Sequence, residues 1–293
     1  MKTQITFRIL VTSTLLGGVA LPSIALADGP IVLDKNGGFT MSDPTGDDNG
    51  PGTYTYPTDP VYKPGSFDIT EFKVVPGASS TEFRVTVNAK IEDPWDSASW
   101  QGNGFSVQMV FVHIDTDHKA GSGVLSGLPG TNVRFAPDEG WEKTVIISPQ
   151  GGARLNSEIA LKCGQWKDSI IVPRTTKSSG KTLTAVVDNA DLGGAPQEGW
   201  GYQVLMQSND GFPGKTDLLI RKVNESNGAH RFGGGTDYDN DPQVVDILVP
   251  PGGDAAKKQH EILAKYNKAA TENPKPEDLA VVPMVYPFAK KSK

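Results

Sequence analysis

Glycine and proline interrupt this chain from end to end. The 33 Gly and 22 Pro are spread through the sequence rather than gathered in one linker. Neither suits a helix interior: Gly loses the most backbone entropy on ordering, and Pro lacks the N–H. What lies between them is short and β-like. The run "TEFRVTVNAKI" (81–91) alternates, with Phe83, Val85, Val87, Ala89 and Ile91 facing one way and Glu82, Arg84, Thr86, Asn88 and Lys90 the other. A period of two marks a half-buried strand. "GFSVQMVFVHID" (104–115) is apolar on both faces and reads as a central strand. Further runs at 68–75, 142–148, 168–173, 181–187, 200–208, 217–223 and 243–249 complete the pattern. Short strands with turn signals between them predict an all-β fold, an antiparallel β-sandwich. No alternation of strand and helix appears, which argues against a Rossmann fold or an α/β barrel.

The two ends differ from this middle. Lys2 and Arg8 precede an apolar stretch from about Ile9 to Leu21, and Ala25-Leu26-Ala27 follows as an A-x-A site. This predicts a signal peptide over 1–27, cleaved before Asp28, and therefore a secreted protein: periplasmic, extracellular or at the cell surface. The apolar run is too short and broken to span a bilayer, and no second one follows. Residues 28–250 form the expected sandwich. In 251–293, "AAKKQHEILAKYNKAA" predicts a helix with Asp254 as N-cap and a stripe of Ile262, Leu263, Tyr266 and Ala270. The Pro-rich end carries Val281, Val282, Met284, Val285, Tyr286 and Phe288, too apolar to hang free. It is expected to strap the sandwich or, alternatively, to reach another subunit.

Without Lys2 and Arg8 the formal charge falls from −6 to −8. An acidic surface argues against nucleic acid or anionic lipid as partner. Cys163 is the sole cysteine, so no internal disulfide can form, and a buried small hydrophobe is its expected role.

Several separated stretches occur in one order: "DPTGDDNGPGTYTYP" (43–57), "PGSFDIT" (64–70), "NGFSVQMVFVHIDTD" (103–117), "GW" (140–141), "RFGGG" (231–235) and "DPQVVDIL" (241–248). In these the chain resembles the C-terminal domain of glucodextranase and its relatives, which are DOMON-like sandwiches similar in architecture to family-nine carbohydrate-binding modules. The resemblance implies a carbohydrate-binding or surface-associating role, with polysaccharide or a cell-surface glycan as partner. Because DOMON-like relatives include haem b binders, Met109 and His113, on one side of one strand, are weighed as axial ligands. A packed core strand explains the same spacing.

Acidic residues crowd three loops. Asp43, Asp47 and Asp48 with Asn49 stand in the first, Asp115 and Asp117 in the second, and Asp237, Asp239, Asn240 and Asp241 in the third. Hard cations need six to eight oxygens at about 2.3–2.6 Å. Calcium is the expected ion, on Asp43, Asp47 and Asp48 first and Asp115 and Asp117 second. The alternative is that these residues cap turns. None of the loops is an EF-hand, since Pro242 stands where Gly is required and Leu248 where Glu is.

Sugar recognition needs aromatic faces on exposed loops. Trp95 and Trp100 in "DPWDSASWQGNG", with Tyr54 and Tyr56, are the expected sugar contacts, while Trp141 and Trp200 are expected in the core. No H-E-x-x-H or G-x-S-x-G pattern is present, and the chain reads as non-catalytic. The expected function is a secreted, calcium-stabilised carbohydrate-binding sandwich. The alternative is a subunit of a surface layer or filament that self-associates through its C-terminal tail.

Overall fold

A computed structural model describes residues 31–34, 37–236, 240–249, 252–269 and 275–288. The leader, Asp237, Asp239 and Ala270 lie outside the described residues. The strands are β1 (Val32–Leu33), β2 (Phe39–Ser42), β3 (Ile69–Pro76), β4 (Ser80–Val87), β5 (Gln108–Asp115), β6 (Val133–Arg134) and β7 (Lys143–Ile147). They continue with β8 (Ile170–Ile171), β9 (Thr175–Ser179), β10 (Thr182–Asp188), β11 (Gly201–Ser208), β12 (Asp246–Ile247) and β13 (Ala280–Val281). Three helices join them: α1 (Gly152–Lys162), α2 (Asn189–Leu192) and α3 (Ala255–Leu263).

Two sheets face each other. The first runs β1-β2-β3-β4-β10-β9 and the second β12-β11-β5-β7-β8, almost all antiparallel, with β8 parallel to β7. Alternation decides what each strand buries. In β4, Thr81, Phe83, Val85 and Val87 are buried while Ser80, Glu82, Arg84 and Thr86 are only partly so. Phe83, Val85, Val110, Val112, Val204 and Met206 are among the residues that fill the space between the sheets. Every residue of β5 and β11 is buried, because the second sheet is covered on its outer face too. There Met109, Phe111, Trp141, Leu155, Leu205, Leu263 and Val282 form a second core. The first sheet ends in edges unsuited to further pairing: a two-residue β1, and β9 with the polar sequence Thr-Thr-Lys-Ser-Ser.

Three expectations need correction. Residues 217–223 are not a strand; only Ile220 bridges Asn209. The run at 243–249 narrows to Asp246–Ile247, and that at 168–173 to Ile170–Ile171. These segments are apolar because they cover a sheet, which composition cannot distinguish from pairing within one. The helix α1 was not legible either. It buries only Leu155 and Ile159, and ion pairs of 2.8 Å from Glu158 to Arg154 and Lys162 brace its outside.

The tail belongs to the molecule. Asp254 caps α3, accepting from the Lys257 N–H at 3.1 Å. The buried face of α3 is Ala255, Gln259 and Leu263, one turn apart; of the expected stripe Leu263 is buried and Ile262 packs beside it, but the helix ends before Tyr266. Beyond it β13 pairs in parallel with β6, and Tyr202 and Val285 exchange backbone hydrogen bonds of 2.8 Å. Val282, Met284 and Val285 are buried, and Phe288 packs edge-on against Phe39. Of the two expectations for this segment, the strap is what the chain forms.

Candidate functional site

Strand pairing brings the loops 43–68, 88–107 and 209–245 to one end of the sandwich, where β3, β5 and β12 begin and β4 and β11 finish. Gln108 at the start of β5 ties two of them, donating to the Ser66 carbonyl at 3.0 Å. The first acidic loop and the aromatic loop fall at this end, whereas Asp115 and Asp117 follow the far end of β5.

Among the described residues, two carboxylate groups are close enough to share an ion. In the first, one oxygen each of Asp43, Asp47 and Asp246 lies within 4.8 Å of the others. Asp43 leaves the end of β2, Asp47 sits in the loop, and Asp246 opens β12 on the other sheet. Asp68, just before β3, stands beside them and acts electrostatically on all three. All four are buried, Asp47 and Asp246 completely. Each of three carboxylates spends one oxygen on a backbone donor: Asp43 Oδ1 accepts from Val249 N at 2.8 Å, Asp246 Oδ2 from Ile69 N at 2.6 Å, and Asp68 Oδ2 from Gly46 N at 2.9 Å. The remaining oxygens, Asp43 Oδ2, Asp68 Oδ1, Asp246 Oδ1 and both of Asp47, have no hydrogen-bond partner among the described residues.

Burial first, then mutual repulsion, raises the proton affinity of this group. Asp47 is pushed up to about 7 and Asp68 to about 6, and Asp43 and Asp246 stand well above the usual carboxylate range. Asp48 is not in the cluster. Its carboxylate accepts the Tyr56 hydroxyl, and burial raises its proton affinity. Of the residues expected as ligands, then, the fold gathers Asp43 and Asp47, turns Asp48 toward Tyr56, and brings Asp246 to them, with Asp68 close enough to act on all three. A sequence signal for the added pair existed: each is an acid directly beside apolar strand residues, in "FDIT" and "VVDIL".

The second group is Asp115, Asp117 and Glu142. Here donors already answer the carboxylates. Asp115 accepts from the Asp117 and His118 N–H groups and from the Tyr286 hydroxyl at 2.5 Å. Glu142 accepts from Thr116 and Ser122, and Ser122 also donates to Asp117. This is the hydrogen bonding of a capped turn.

The aromatic loop is rigidly built. Asp93 receives the Ser97 N–H at 2.9 Å and the Ser97 hydroxyl at 2.7 Å, and also the Ser106 hydroxyl. A 3₁₀ turn over Ser97–Trp100 lies between Asp96 and Gln101, both in the left-handed region. Trp95 is half-buried, edge-on to Tyr62 at 6.2 Å and to His230 at 5.7 Å. Trp100 is also half-buried, and its indole N–H donates to the Trp95 carbonyl at 3.2 Å. Tyr62 and His230, which the sequence did not single out, complete the Trp95 surround. On the neighbouring 209–212 segment Phe212 is 95% exposed.

Tyr54 and Tyr56 share a face, but it is the inward one. Thr55 bridges Gly233, which fixes the extended backbone between them. Tyr54 is 5% exposed and its hydroxyl donates to the Pro242 carbonyl at 2.5 Å; Tyr56 packs on Phe67 and Phe232. Both rings are occupied by the protein's own core. Trp141 and Trp200 are buried as expected, and so is Cys163. Met109 and His113 are fully buried in the second core, where Thr144 Oγ1 lies 2.7 Å from His113 Nδ1 and Phe135 and Trp141 flank the ring. That is the packing of a core strand.

No helix among the described residues is long and apolar enough to cross a membrane. A search among curated proteins returned no match. The family model of a C-terminal, SLH-like binding module of glucodextranase matches residues 39–276, from β2 through α3 and including both the carboxylate cluster and the aromatic loop. This family is a binding module rather than a catalytic domain. The chain belongs to the family of the SLH-like C-terminal binding module of glucodextranase.

Proposed function

We propose that this chain is a secreted, calcium-stabilised, non-catalytic protein that binds carbohydrate at or near the cell surface. The carrying observation is the arrangement of Trp95: a half-buried indole on a braced loop, edge-on to Tyr62 and His230, with Trp100 bonded to its carbonyl. A ring held this way stacks on the C–H face of a pyranose at little ordering cost. Family membership supports a binding role. The leader ending in Ala25-Leu26-Ala27 supports secretion. A non-catalytic role is supported by burial: Asp43, Asp47 and Asp246 are at most 8% exposed, beneath the loops rather than open to a glycosidic bond.

The test is retention on a panel of insoluble and immobilised polysaccharides. Wild type is expected to be retained on at least one, and a Trp95→Ala, Trp100→Ala double variant to lose about tenfold or more in affinity while melting near the wild-type temperature. Equal retention of the two proteins removes these residues as the site, and a wild type that binds no glycan removes the reading.

A further inference from the structure

Four buried carboxylates lie at the loop end, and no Lys or Arg among the described residues pairs with them. None of Asp43, Asp47, Asp68 and Asp246 takes part in an ion pair among the described residues, and the charges acting on them are those of other aspartates, one another's and that of Asp48. A buried charge without a partner is among the costliest features a fold can carry. Yet this group is not haphazard. Asp43 and Asp246 each hold a backbone N–H of the opposite sheet with one oxygen and leave the other unbonded, while Asp47 leaves both unbonded. Two oxygens on opposite sides of one ion at about 2.4 Å stand about 4.8 Å apart. The Asp43, Asp47 and Asp246 oxygens fall within that span.

We propose that Asp43, Asp47 and Asp246, with Asp68 beside them, bind one divalent calcium-like cation between the two sheets, and that this ion clamps the 43–68 loop to the sandwich. Donors that are all oxygen, with no His or Cys, exclude zinc and copper chemistry and select a hard cation. Magnesium keeps several waters in rigid octahedral array, whereas calcium accepts a flexible set of protein oxygens, which suits a completely buried Asp47 and Asp246. The clamp reaches three elements besides the loop. Asp43 ends β2, Asp246 opens β12, and Gln259 of α3 donates to the Asp47 carbonyl at 2.5 Å while its own carbonyl accepts from Ile247 N.

This inference deepens the calcium part of the proposed function and does not require that sugar bind. The full mature chain, stripped with EDTA and returned to metal-free buffer, is titrated with CaCl₂ by calorimetry and melted with and without the ion. One saturable site is expected, with a melting midpoint raised by about 5 °C or more at saturation. Asp246→Asn is expected to weaken calcium at least tenfold, whereas Asp117→Asn, in the donor-satisfied group, leaves it unchanged. If Asp246→Asn does not fold, calcium binding retained in Asp117→Asn still places the ion outside that second group. Absence of binding and of any shift in wild type overturns the clamp. So does unchanged affinity in Asp246→Asn, or a loss confined to Asp117→Asn. A chain that binds calcium but no polysaccharide keeps the clamp and sinks the sugar reading; the converse sinks the clamp alone.

Discussion

Both carboxylate oxygens of Asp47 are buried without a hydrogen-bond partner among the described residues. Single residues of this kind carry most of what can be tested here. In the absence of any cation, the cluster's raised proton affinity makes stability depend on pH in a definite direction. Asp47 near 7 and Asp68 near 6 in the fold lie above the 3.8 of an ordinary aspartate, so the folded state holds more protons than the unfolded one between those values. The favourable contribution is present below about 4 and is lost as pH rises through 7. His113 works the other way: burial depresses it to about 3, so stability falls as pH drops below 6.5. Comparison with Asp47→Asn cancels the His113 effect. In EDTA, the wild-type midpoint is expected to fall relative to that variant between pH 5 and pH 8, and melting curves at the two values check it. Parallel behaviour of the two proteins would show that Asp47 titrates normally. Tyr56 makes a second residue-scale point. Its hydroxyl is the partner that holds Asp48 away from the cluster, and Tyr56→Phe leaves that carboxylate short of a donor at a cost of about 1–3 kcal/mol, read by denaturant unfolding.

At the scale of elements, the C-terminal strap is the part whose role the fold most plainly defines. Its backbone pairs with Tyr202 and Val133, and Val282, Met284 and Val285 close the second core. Burying such side chains contributes about 1.5–3 kcal/mol each. A chain ending at Ala269 is therefore expected to melt on the order of 10 °C below the full chain, by calorimetry. An unchanged midpoint would mean that the strap is only loosely laid on. The loop elements tell a different story. The 88–107 loop is braced by its own Asp93, whereas the 43–68 loop carries Asp43 and Asp47, two of the carboxylates proposed to hold an ion.

At the scale of the whole molecule, the acidic and aromatic sites share one end of the sandwich and are physically joined. From Asp48 the contacts run through Tyr56 to Phe67 at 5.8 Å, to Tyr62 at 6.2 Å and to Trp95 at 6.2 Å. Tyr56, Tyr62 and Phe67 all belong to the segment that the cation is proposed to clamp. Removing the ion is thus expected to loosen the Trp95 surround as well as the sheet contact. Glycan retention should weaken severalfold in EDTA and recover on adding calcium, with retention assays in both buffers as the measurement. Retention indifferent to EDTA would show that the Trp95 loop stands without help from the 43–68 loop.

How much of this was legible in the sequence follows from the range of each interaction. Alternation in 81–91 and the double-faced apolar run at 104–115 depend only on neighbours along the chain, and a strand formed in each, although β4 stops at Val87 and β5 starts only at Gln108. The Asp254 cap and the strap-forming apolarity of the tail are local in the same sense. The loops were another matter. Leu218, Leu219 and Ile220 resemble a strand in composition but cover one instead. Tyr54 and Tyr56 share a face as their spacing requires, yet nothing local says whether that face meets solvent or core. The carboxylate cluster shows the limit most sharply. Asp43 and Asp47 could be singled out because they crowd one loop, but Asp246 lies 203 residues from Asp43 and meets it only because β12 and β2 belong to facing sheets. The sequence by itself determined that this chain is a sandwich of short strands with acidic and aromatic loops, because strand periodicity and turn chemistry act over a few residues. Only the tertiary structure decided which acids face one another and which rings face solvent, because the stacking of two sheets brings together residues that no sequence period relates.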